Sequence, residues 1–196
     1  MNPEEDTSNL SANECIKFVT SNEHKYLEFQ KIFMNEGINI DWVRRKYEEI
    51  QEDSTELISM DSARKLSTEI VGKFFLEDTG LYIDSLNGFP GPYSSYVART
   101  LGNNGILKLI QGLKRSCHFL TVITYYDGHE FLQFEGILRG SISEEIRGNG
   151  GFGYDPIFIP DGQSITLAEM DIGTKSTISH RSVAAHRFIS HLRASR

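Results

Sequence analysis

The chain has 196 residues, of which 39% are apolar and 24% are charged, so it is long enough to bury a core without disulfides or structural metals. Its apolar runs are far shorter than the ~20 residues that cross a bilayer, which excludes a membrane-spanning helix. A net charge of −7 argues against a protein that grips polymeric nucleic acid by its phosphates. Two cysteines and an acidic start without a signal-peptide pattern predict a reduced, cytoplasmic environment.

The N-terminal residues are polar and acidic and lack apolar periodicity. We therefore predict a disordered tail over 1–14 and a single domain over 15–196. The domain begins with a strand over 16–20, and Asn22, a residue type that caps helices, follows it. A helix is predicted next because apolar residues recur at helical spacing: Tyr26, Phe29, Ile32 and Phe33.

The next part of the chain alternates between extended and helical patterns. An extended segment is predicted over 38–43, an acidic connection over 48–56, and a second helix over 57–73. A short apolar run over 74–76 is typical of a buried strand, and the chain turns polar over 77–80. Carboxylates at the end of such a strand lie where open α/β sheets bind ligands.

The remaining elements are predicted from turn residues and β-rich runs. Prolines and glycines over 86–93 indicate a rigid, irregular loop. Two β-rich runs, 119–126 and 130–137, are separated by Asp127 and Gly128, which is typical of a β-hairpin. The other predicted elements are a short helix over 105–113, an extended segment over 156–160 and a final helix capped by Ser179.

The turn before the first helix is a candidate phosphate site. Free backbone N–H groups at a helix N-terminus, together with hydroxyls and a lysine, favour an anion. The same residue types also form ordinary helix caps with a solvated lysine, and spacing alone does not separate the two interpretations. The turn consists of Thr20, Ser21, Asn22, Glu23, His24 and Lys25.

Two acidic clusters are candidates for a metal site. Glu77 and Asp78 follow a strand that is predicted to be buried, where paired carboxylates need a cation or hydrogen bonds. A second cluster lies over 48–53 and includes Glu49. Oxygen ligands of this kind suit Mg²⁺, which prefers carboxylates together with substrate phosphates. A solvated loop at 48–53 and a turn cap at Asp78 are the alternatives.

Two further segments are candidates for binding a base. Glycines over 148–155 surround Phe152, whose ring could stack on a flat ligand that the backbone approaches closely. Glycine clusters also form ordinary turns. His180 and Arg181 lie at a predicted helix start, and Lys175 precedes them. This combination suits a phosphate or a base carbonyl, and a solvated, capped helix end is the alternative.

Four segments follow one another along the chain: Thr20-x-Asn22-x-x-Lys25; Glu77-Asp78-Thr79-Gly80-Leu81 continuing into Asn87-Gly88-Phe89-Pro90-Gly91-Pro92-Tyr93; Gly151-Phe152-Gly153-Tyr154-Asp155-Pro156; and Ala168-Glu169-Met170 with Lys175 and Ser179-His180-Arg181. Together and in this order they resemble the motifs of the inosine triphosphate pyrophosphatase family, whose members hydrolyse non-standard purine nucleoside triphosphates such as ITP, dITP and XTP. The resemblance covers roughly residues 15–192 and is more similar to the archaeal branch than to the enteric bacterial one.

The resemblance implies an α/β fold in which a long central mixed β-sheet and flanking helices form two lobes around a nucleotide cleft, and it implies a homodimer. Residues 20–25 would bind the triphosphate. Glu49 and Asp78 would be associated with Mg²⁺, with Mn²⁺ as an alternative ion, and Glu77 would be an additional metal-shell group. Asp78 also matches the proton acceptor. Further substrate contacts are implied for Thr79, Phe152, Gly153, Tyr154, Asp155, Lys175, His180 and Arg181.

The implied reaction is attack of water on the α-phosphorus, which yields a nucleoside monophosphate and pyrophosphate. Donors aimed at O6 would accept inosine and xanthosine, whereas the 6-amino group of adenine would leave them unpaired. A pyrophosphatase for another base, such as that of dUTP, and a non-catalytic nucleotide-binding protein are the alternatives. Ser95, Ser176 and Ser182 depart from the family pattern, which bears on fine specificity and on one phosphate contact.

Overall fold

A computed structural model of the chain describes residues 15–195. Its strands are Ile16–Val19 (β1), Ile40–Val43 (β2), Phe74–Ile83 (β3), Pro90–Gly91 (β4), Ser116–Tyr126 (β5), Phe131–Ile142 (β6) and Phe158–Pro160 (β7). They form one mixed sheet in the order β2-β1-β3-β5-β6-β7, with β4 paired to β3. The pairs that involve β1 are parallel and the others are antiparallel. The expected α/β fold with a long mixed sheet is confirmed.

Helices cover both faces of this sheet, and polar side chains cap several of them. They are Glu23–Asn35 (α1), Thr55–Ser67 (α2), Ser94–Thr100 (α3), Gly102–Leu109 (α4), Ile172–Ile178 (α5) and His180–Ala194 (α6). Asn22 caps α1 by accepting from the backbone N–H groups of His24 and Lys25. Ser179 caps α6 by accepting from the N–H of Ser182. None of the described helices is long and apolar enough to cross a bilayer.

The core consists of aromatic and aliphatic side chains on the two faces of the sheet. Between the sheet and α1 and α6, Phe18 stacks on Phe75 with ring centroids 4.5 Å apart, and Phe188 meets Phe75 edge-on. On the α2 side, Phe74 and Leu76 are fully buried. Alternate residues of β3 therefore face opposite apolar layers, as the pleat of a strand requires.

The helix α6 lies very close to β6. A Cβ atom at Gly136 would come within 2.0 Å of the His180 carbonyl oxygen and 2.5 Å of the Ala184 nitrogen. Only glycine at this position lets the N-terminus of α6 approach the sheet so closely. The approach brings the first residues of α6 beside the middle of β5.

Strand β3 is longer than predicted, and this changes the position of the acidic pair. The strand continues through Glu77 and Asp78 to Ile83, because β5 pairs with it over its whole length. The two carboxylates therefore lie in the middle of a strand, where the sequence predicted the strand to have ended. The predicted second helix also differs, since α2 ends at Ser67 and its cap is Thr68.

Short elements account for the other differences. The segment over 86–93, predicted as an irregular loop, contains β4, and the helix predicted over 105–113 lies at Gly102–Leu109. The helices α3 and α5 were not predicted, because seven residues are too few to establish a helical period. The predicted tail over 1–14 lies outside the described residues.

Candidate active site

A cleft of about 520 Å³ opens beside β3 and gathers residues from most of the chain. The turn before α1, the segment that follows β2, the middle of β3, the helix α3, the glycine-rich segment and the start of α6 all contribute to its lining. The predicted site residues that line it are Thr20, Ser21, Asn22, Lys25, Glu49, Asp78, Thr79, Phe152, Gly153, Tyr154, Asp155, His180 and Arg181. Glu23, His24 and Lys175 were also predicted as site residues and do not line it.

Glu77 is buried in the wall of the cleft between two cations. Its Oε2 lies 2.8 Å from Lys25 Nζ, and its Oε1 lies 3.2 Å from Arg181 Nε. Burial alone would raise the pKa of Glu77, but Lys25 and Arg181 outweigh it, so the pKa is below its usual value. Both carboxylate oxygens are thus engaged by protein cations. The geometry favours a counter-ion role for Glu77 over the metal-shell role that the resemblance implied.

Asp78 points to the opposite face of β3 and has a different environment. Burial raises its pKa, Lys25 lowers it, and the carboxylates of Glu49 and Glu77 raise it further, to about 7. Only the N–H of Thr79, 2.9 Å away, donates to the Asp78 carboxylate among the hydrogen bonds found within residues 15–195. Asp78 therefore carries a charge that its surroundings compensate poorly.

Asp78 and Glu49 together fit a divalent cation. Both line the cleft, and the negative charge of Glu49 is one of the causes, after burial, that raise the pKa of Asp78. The described residues contain no group of three or more His, Cys, Asp and Glu side chains arranged to hold a metal ion. Two carboxylates with an otherwise open coordination shell are typical of Mg²⁺ that completes its shell with water and substrate phosphates.

Phe152 lies beside three positively charged or titratable side chains. The guanidinium carbon of Arg181 is 4.9 Å from its ring centroid, and Lys175 Nζ is 5.4 Å from it. The His24 ring stacks against Phe152 with centroids 5.3 Å apart, so His24 contacts the predicted base platform and not the cleft where the triphosphate was expected. Cations next to an aromatic platform suit a base that carries carbonyl oxygens.

Asp155 holds the platform in place. Its Oδ2 accepts from the backbone N–H of Phe152 and from Lys175 Nζ, both at 2.8 Å. A Cβ atom at Gly151, where φ is +69°, would lie 2.0 Å from that oxygen, so this position requires glycine. Lys175 and Arg181 also share the carboxylate of Glu28 on α1. Lys175 therefore supports the cleft wall although it does not line the cleft.

His180 is almost completely buried at the start of α6. Its ring stacks on Phe119 with centroids 4.4 Å apart, and its Nδ1 lies 2.6 Å from Thr121 Oγ1. Burial lowers the pKa of His180 well below its usual value, and Arg181, Lys175 and Lys25 lower it further. The ring is therefore neutral at physiological pH.

The sequence did not single out several residues that complete this site. Glu28 follows Lys25 by three residues, so helical spacing places both on one face of α1 and was an available signal. Thr121 is a polar residue within a β-rich run, which carried no signal because threonine is common in strands. Lys46 and Arg99 line the cleft, and nothing in their sequence neighbourhoods indicated this.

Comparisons with known proteins identify relatives of this chain. The chain is 46% identical over 179 residues to a dITP/XTP pyrophosphatase of Thermococcus kodakarensis, covering 91% of this chain and 97% of that protein. It is 43% identical over 178 residues to one of Saccharolobus solfataricus, covering 90% and 93%. A solved HAM1 protein from Coxiella burnetii matches with a TM-score of 0.79 at 27% identity, covering 91% of this chain and 99% of that one. Residues 16–191 match the model of the Ham1 family, and the chain belongs to that family.

Proposed function

We propose that this chain hydrolyses non-canonical purine nucleoside triphosphates, namely ITP, dITP and XTP, to the nucleoside monophosphate and pyrophosphate, and so removes them from the nucleotide pool. The observation that carries this proposal is that one cleft is lined by the residues before α1, by Asp78 with its raised pKa, and by Phe152 with Arg181 beside its ring. Its relatives of similar length carry the name dITP/XTP pyrophosphatase, which supports the same substrate class.

The triphosphate would bind at the start of α1. Thr20 and Ser21 line the cleft there, and the positive end of the α1 helix dipole favours negative charge. Lys25 reaches the same cleft and neutralises part of the phosphate charge while its Nζ contacts Glu77. The ion pair holds the Lys25 side chain in one position, which reduces the entropy lost when a phosphate binds.

Asp78 would act on the attacking water. A general base works best when its pKa is near the operating pH, and the pKa of Asp78, about 7, meets this condition. The carboxylate orients the water toward the α-phosphorus and accepts its proton as the oxygen–phosphorus bond forms. The bond between the α-phosphorus and the bridging oxygen then breaks, and pyrophosphate leaves with the electron pair.

Glu49 and Asp78 would hold the divalent cation, either Mg²⁺ or Mn²⁺. When it is bound, the ion neutralises charge on the phosphate oxygens and lowers the pKa of nearby water. Lys25 adds to this stabilisation at the leaving group. An ion that shares Asp78 would lower the pKa of that carboxylate, so the balance between base and ligand roles changes with metal occupancy.

The base would stack on Phe152, with Arg181, which lines the cleft, as the donor toward O6. Lys175 would support this wall through its ion pairs with Glu28 and Asp155. The Arg181 guanidinium has hydrogen-bond donors and no acceptor. A 6-amino group offers it only hydrogen atoms, whereas a 6-keto oxygen accepts from it. The site therefore prefers inosine and xanthosine to adenosine, and pairing of buried donors supplies the preference.

Pyrophosphate release from ITP, XTP, dITP, ATP, GTP and dUTP, each with Mg²⁺ and with EDTA, tests the function. We expect metal-dependent release from the three 6-keto analogues, weak release from ATP, and loss of release in Asp78→Asn. Preferred hydrolysis of dUTP would favour a pyrophosphatase for another base. Binding without hydrolysis of any of the six would favour a non-catalytic nucleotide-binding protein.

We also propose a homodimer in the cytoplasm. Three exposed aromatic residues lie close together in sequence around β4 and α3: Phe89, Tyr93 and Tyr96. Tyr96 is 61% exposed, and a second copy of the chain that covered these side chains would remove them from water. Sedimentation equilibrium of the wild type and of Tyr96→Glu tests the dimer. We expect twice the monomer mass for the wild type and a shift toward the monomer for the variant.

A further inference from the structure

A chain of hydrogen-bonded side chains connects Glu77 to the His180 ring. Thr79 Oγ1 contacts Glu77 Oε1, and the hydroxyl oxygens of Thr79 and Thr121 are 2.6 Å apart. Thr121 Oγ1 lies 2.6 Å from His180 Nδ1. Thr79 and Thr121 are directly opposite each other in the pairing of β3 with β5, so two paired strands hold the chain of hydrogen bonds in register.

The charge of Glu77 sets the direction of each hydrogen bond between Glu77 and His180. Each of its oxygens faces a side-chain cation, at 2.8 Å and 3.2 Å, so the group is a carboxylate and can only accept. The single hydroxyl hydrogen of Thr79 therefore points to Glu77, and the Thr79 oxygen accepts from Thr121. Because its own hydrogen is engaged with Thr79, Thr121 can only accept from His180. Nδ1 of His180 therefore carries a hydrogen.

The other ring nitrogen of His180 is left as an acceptor. Burial and three neighbouring cations keep the ring neutral, and a neutral imidazole with a hydrogen at Nδ1 has a bare lone pair at Nε2. Within residues 15–195, the hydrogen bonds of the ring involve Nδ1 alone. His180 is 1% exposed and is one of the residues that line the cleft, the space where a base would bind.

We propose that Thr121 is a positioning residue for base selection, which holds His180 in the Nδ1–H form so that Nε2 accepts the N1–H of a 6-keto purine. This inference rests on the function proposed above. Hypoxanthine and xanthine carry a hydrogen at N1, whereas adenine has a lone pair there that would face the lone pair of Nε2. Two buried acceptors that face each other are both left unpaired, which is how a polar site rejects an analogue.

Recognition of the base is thereby divided between two kinds of group. The cation Arg181 suits O6, and the accepting nitrogen of His180 suits N1–H. Guanine presents the same O6 and N1–H, so this arrangement separates 6-keto from 6-amino purines and does not by itself exclude guanine. The buried Glu77 thus has a second effect besides pairing with its two cations, because it determines the tautomer of a histidine three hydrogen bonds away.

Nitrogen-15 NMR of protein labelled at histidine measures the tautomer, since ring nitrogens with and without a hydrogen resonate far apart. His180→Gln identifies the His180 signals among the six histidines. We expect a hydrogen at Nδ1 in the wild type and in Thr121→Ser, which keeps the hydroxyl, and loss of this preference in Thr121→Val. Thr124→Val removes another buried hydroxyl of β5, hydrogen-bonded to Ser59, and should leave the His180 signals unchanged.

Steady-state hydrolysis of ITP and ATP measures the consequence. We expect Thr121→Val to lower the ratio of kcat/KM for ITP to kcat/KM for ATP by about tenfold or more. Without the Thr121 hydroxyl, His180 is no longer held in the form whose Nε2 accepts the N1–H of ITP. Thr121→Ser and Thr124→Val should keep the wild-type ratio. The inference is overturned by a wild type with its hydrogen at Nε2, or by an equal loss on both substrates in Thr121→Val.

Failure of the proposed function gives a different result. A wild type that releases no pyrophosphate from ITP, XTP or dITP overturns the proposed hydrolysis, and with it the role of His180 in selection. The NMR measurement needs no turnover, so it still reports whether Thr121 sets the tautomer.

Discussion

Glu77 and Asp78 are adjacent carboxylates on β3 whose surroundings shift their pKa values in opposite directions. The side chains point to opposite faces of the strand, as the pleat requires. Glu77 meets Lys25 and Arg181, which lower its pKa despite burial, whereas Asp78 is buried near Glu49 and its pKa rises to about 7. Such a separation is the usual way in which one site keeps one carboxylate ionised and makes another a base.

Removal of the Asp78 charge should stabilise the metal-free protein while abolishing activity. Because the folded-state pKa is raised above the usual aspartate value of 3.8, the ionised group destabilises the fold, and this penalty grows from about pH 4 to about pH 7. We expect Asp78→Asn to be more stable than the wild type at pH 8, by as much as about 4 kcal/mol. Urea unfolding with EDTA at pH 8 and pH 4 measures this difference.

The pH dependence separates this effect from a general gain in stability. At pH 4 the Asp78 carboxyl is protonated in the folded state and about half protonated in the unfolded state, so most of the advantage of Asp78→Asn should be lost there. Asp161→Asn serves as a control, since Asp161 is exposed and does not line the cleft. A stability of Asp78→Asn at pH 8 no greater than that of the wild type would contradict the raised pKa.

Neutralising Glu77 should have the opposite effect on stability. Glu77→Gln leaves Lys25 and Arg181 without their shared buried counter-ion, and the loss of one partner of a buried pair typically costs about 3–5 kcal/mol. Thermal and urea unfolding measure the loss. Glu36→Gln, which breaks a solvent-accessible pair with Arg193, is the matched control and should cost about 1 kcal/mol or less. Equal losses of stability in the two variants would show that the buried ion pairs of Glu77 stabilise the fold no more than the exposed pair does.

At the scale of elements, the N-terminus of α6 is the part whose position matters most for the site. Its first two residues, His180 and Arg181, both line the cleft, and Gly136 on β6 permits the close approach of the helix. Ser179 caps it by accepting from the Ser182 N–H at 3.1 Å. Any change in the first turn of α6 therefore moves two site residues together.

Two helix caps of the same chemistry should affect activity differently. Ser54 caps α2 with the same 3.1 Å geometry that Ser179 uses at α6. We expect Ser54→Ala and Ser179→Ala each to lose about 1 kcal/mol of stability. Only Ser179→Ala should also lower kcat/KM for ITP, because α2 contributes no residue to the cleft lining. Unfolding curves and pyrophosphate release on the same preparations measure both effects, and equal activities would contradict the positioning role of the cap.

Elements with a long, clear pattern could be predicted from the sequence, whereas short or polar ones could not. Four apolar residues at helical spacing and Asn22 as a cap were sufficient for α1, and Asp127 with Gly128 for the hairpin of β5 and β6. The predicted end of β3 was wrong because Glu77 and Asp78 read as a turn. Their charges are tolerated in mid-strand only because Lys25, Arg181 and the cleft are present in the folded protein.

At the scale of the whole molecule, the cleft draws on segments from Thr20 to Arg181, so a bound nucleotide contacts parts of the chain that are far apart in sequence. A ligand that binds only the folded state stabilises it by about 2.7 kcal/mol at a hundredfold excess over its Kd. We expect a non-hydrolysable ITP analogue with Mg²⁺ to raise Tm measurably. The matching ATP analogue at the same concentration should raise it less, and an equal shift would contradict the base preference.

The sequence by itself determined the family motifs, the residue types of the site and the caps that begin α1 and α6. Local spacing suffices for these features, because they depend on neighbours within a few positions along the chain. The tertiary structure decided which carboxylate is a counter-ion and which has a raised pKa, and it alone joined Glu77, Thr79, Thr121 and His180. Electrostatic environment and hydrogen-bond direction depend on groups that the fold brings together, and the pairing of β3 with β5 is what brings these four into contact.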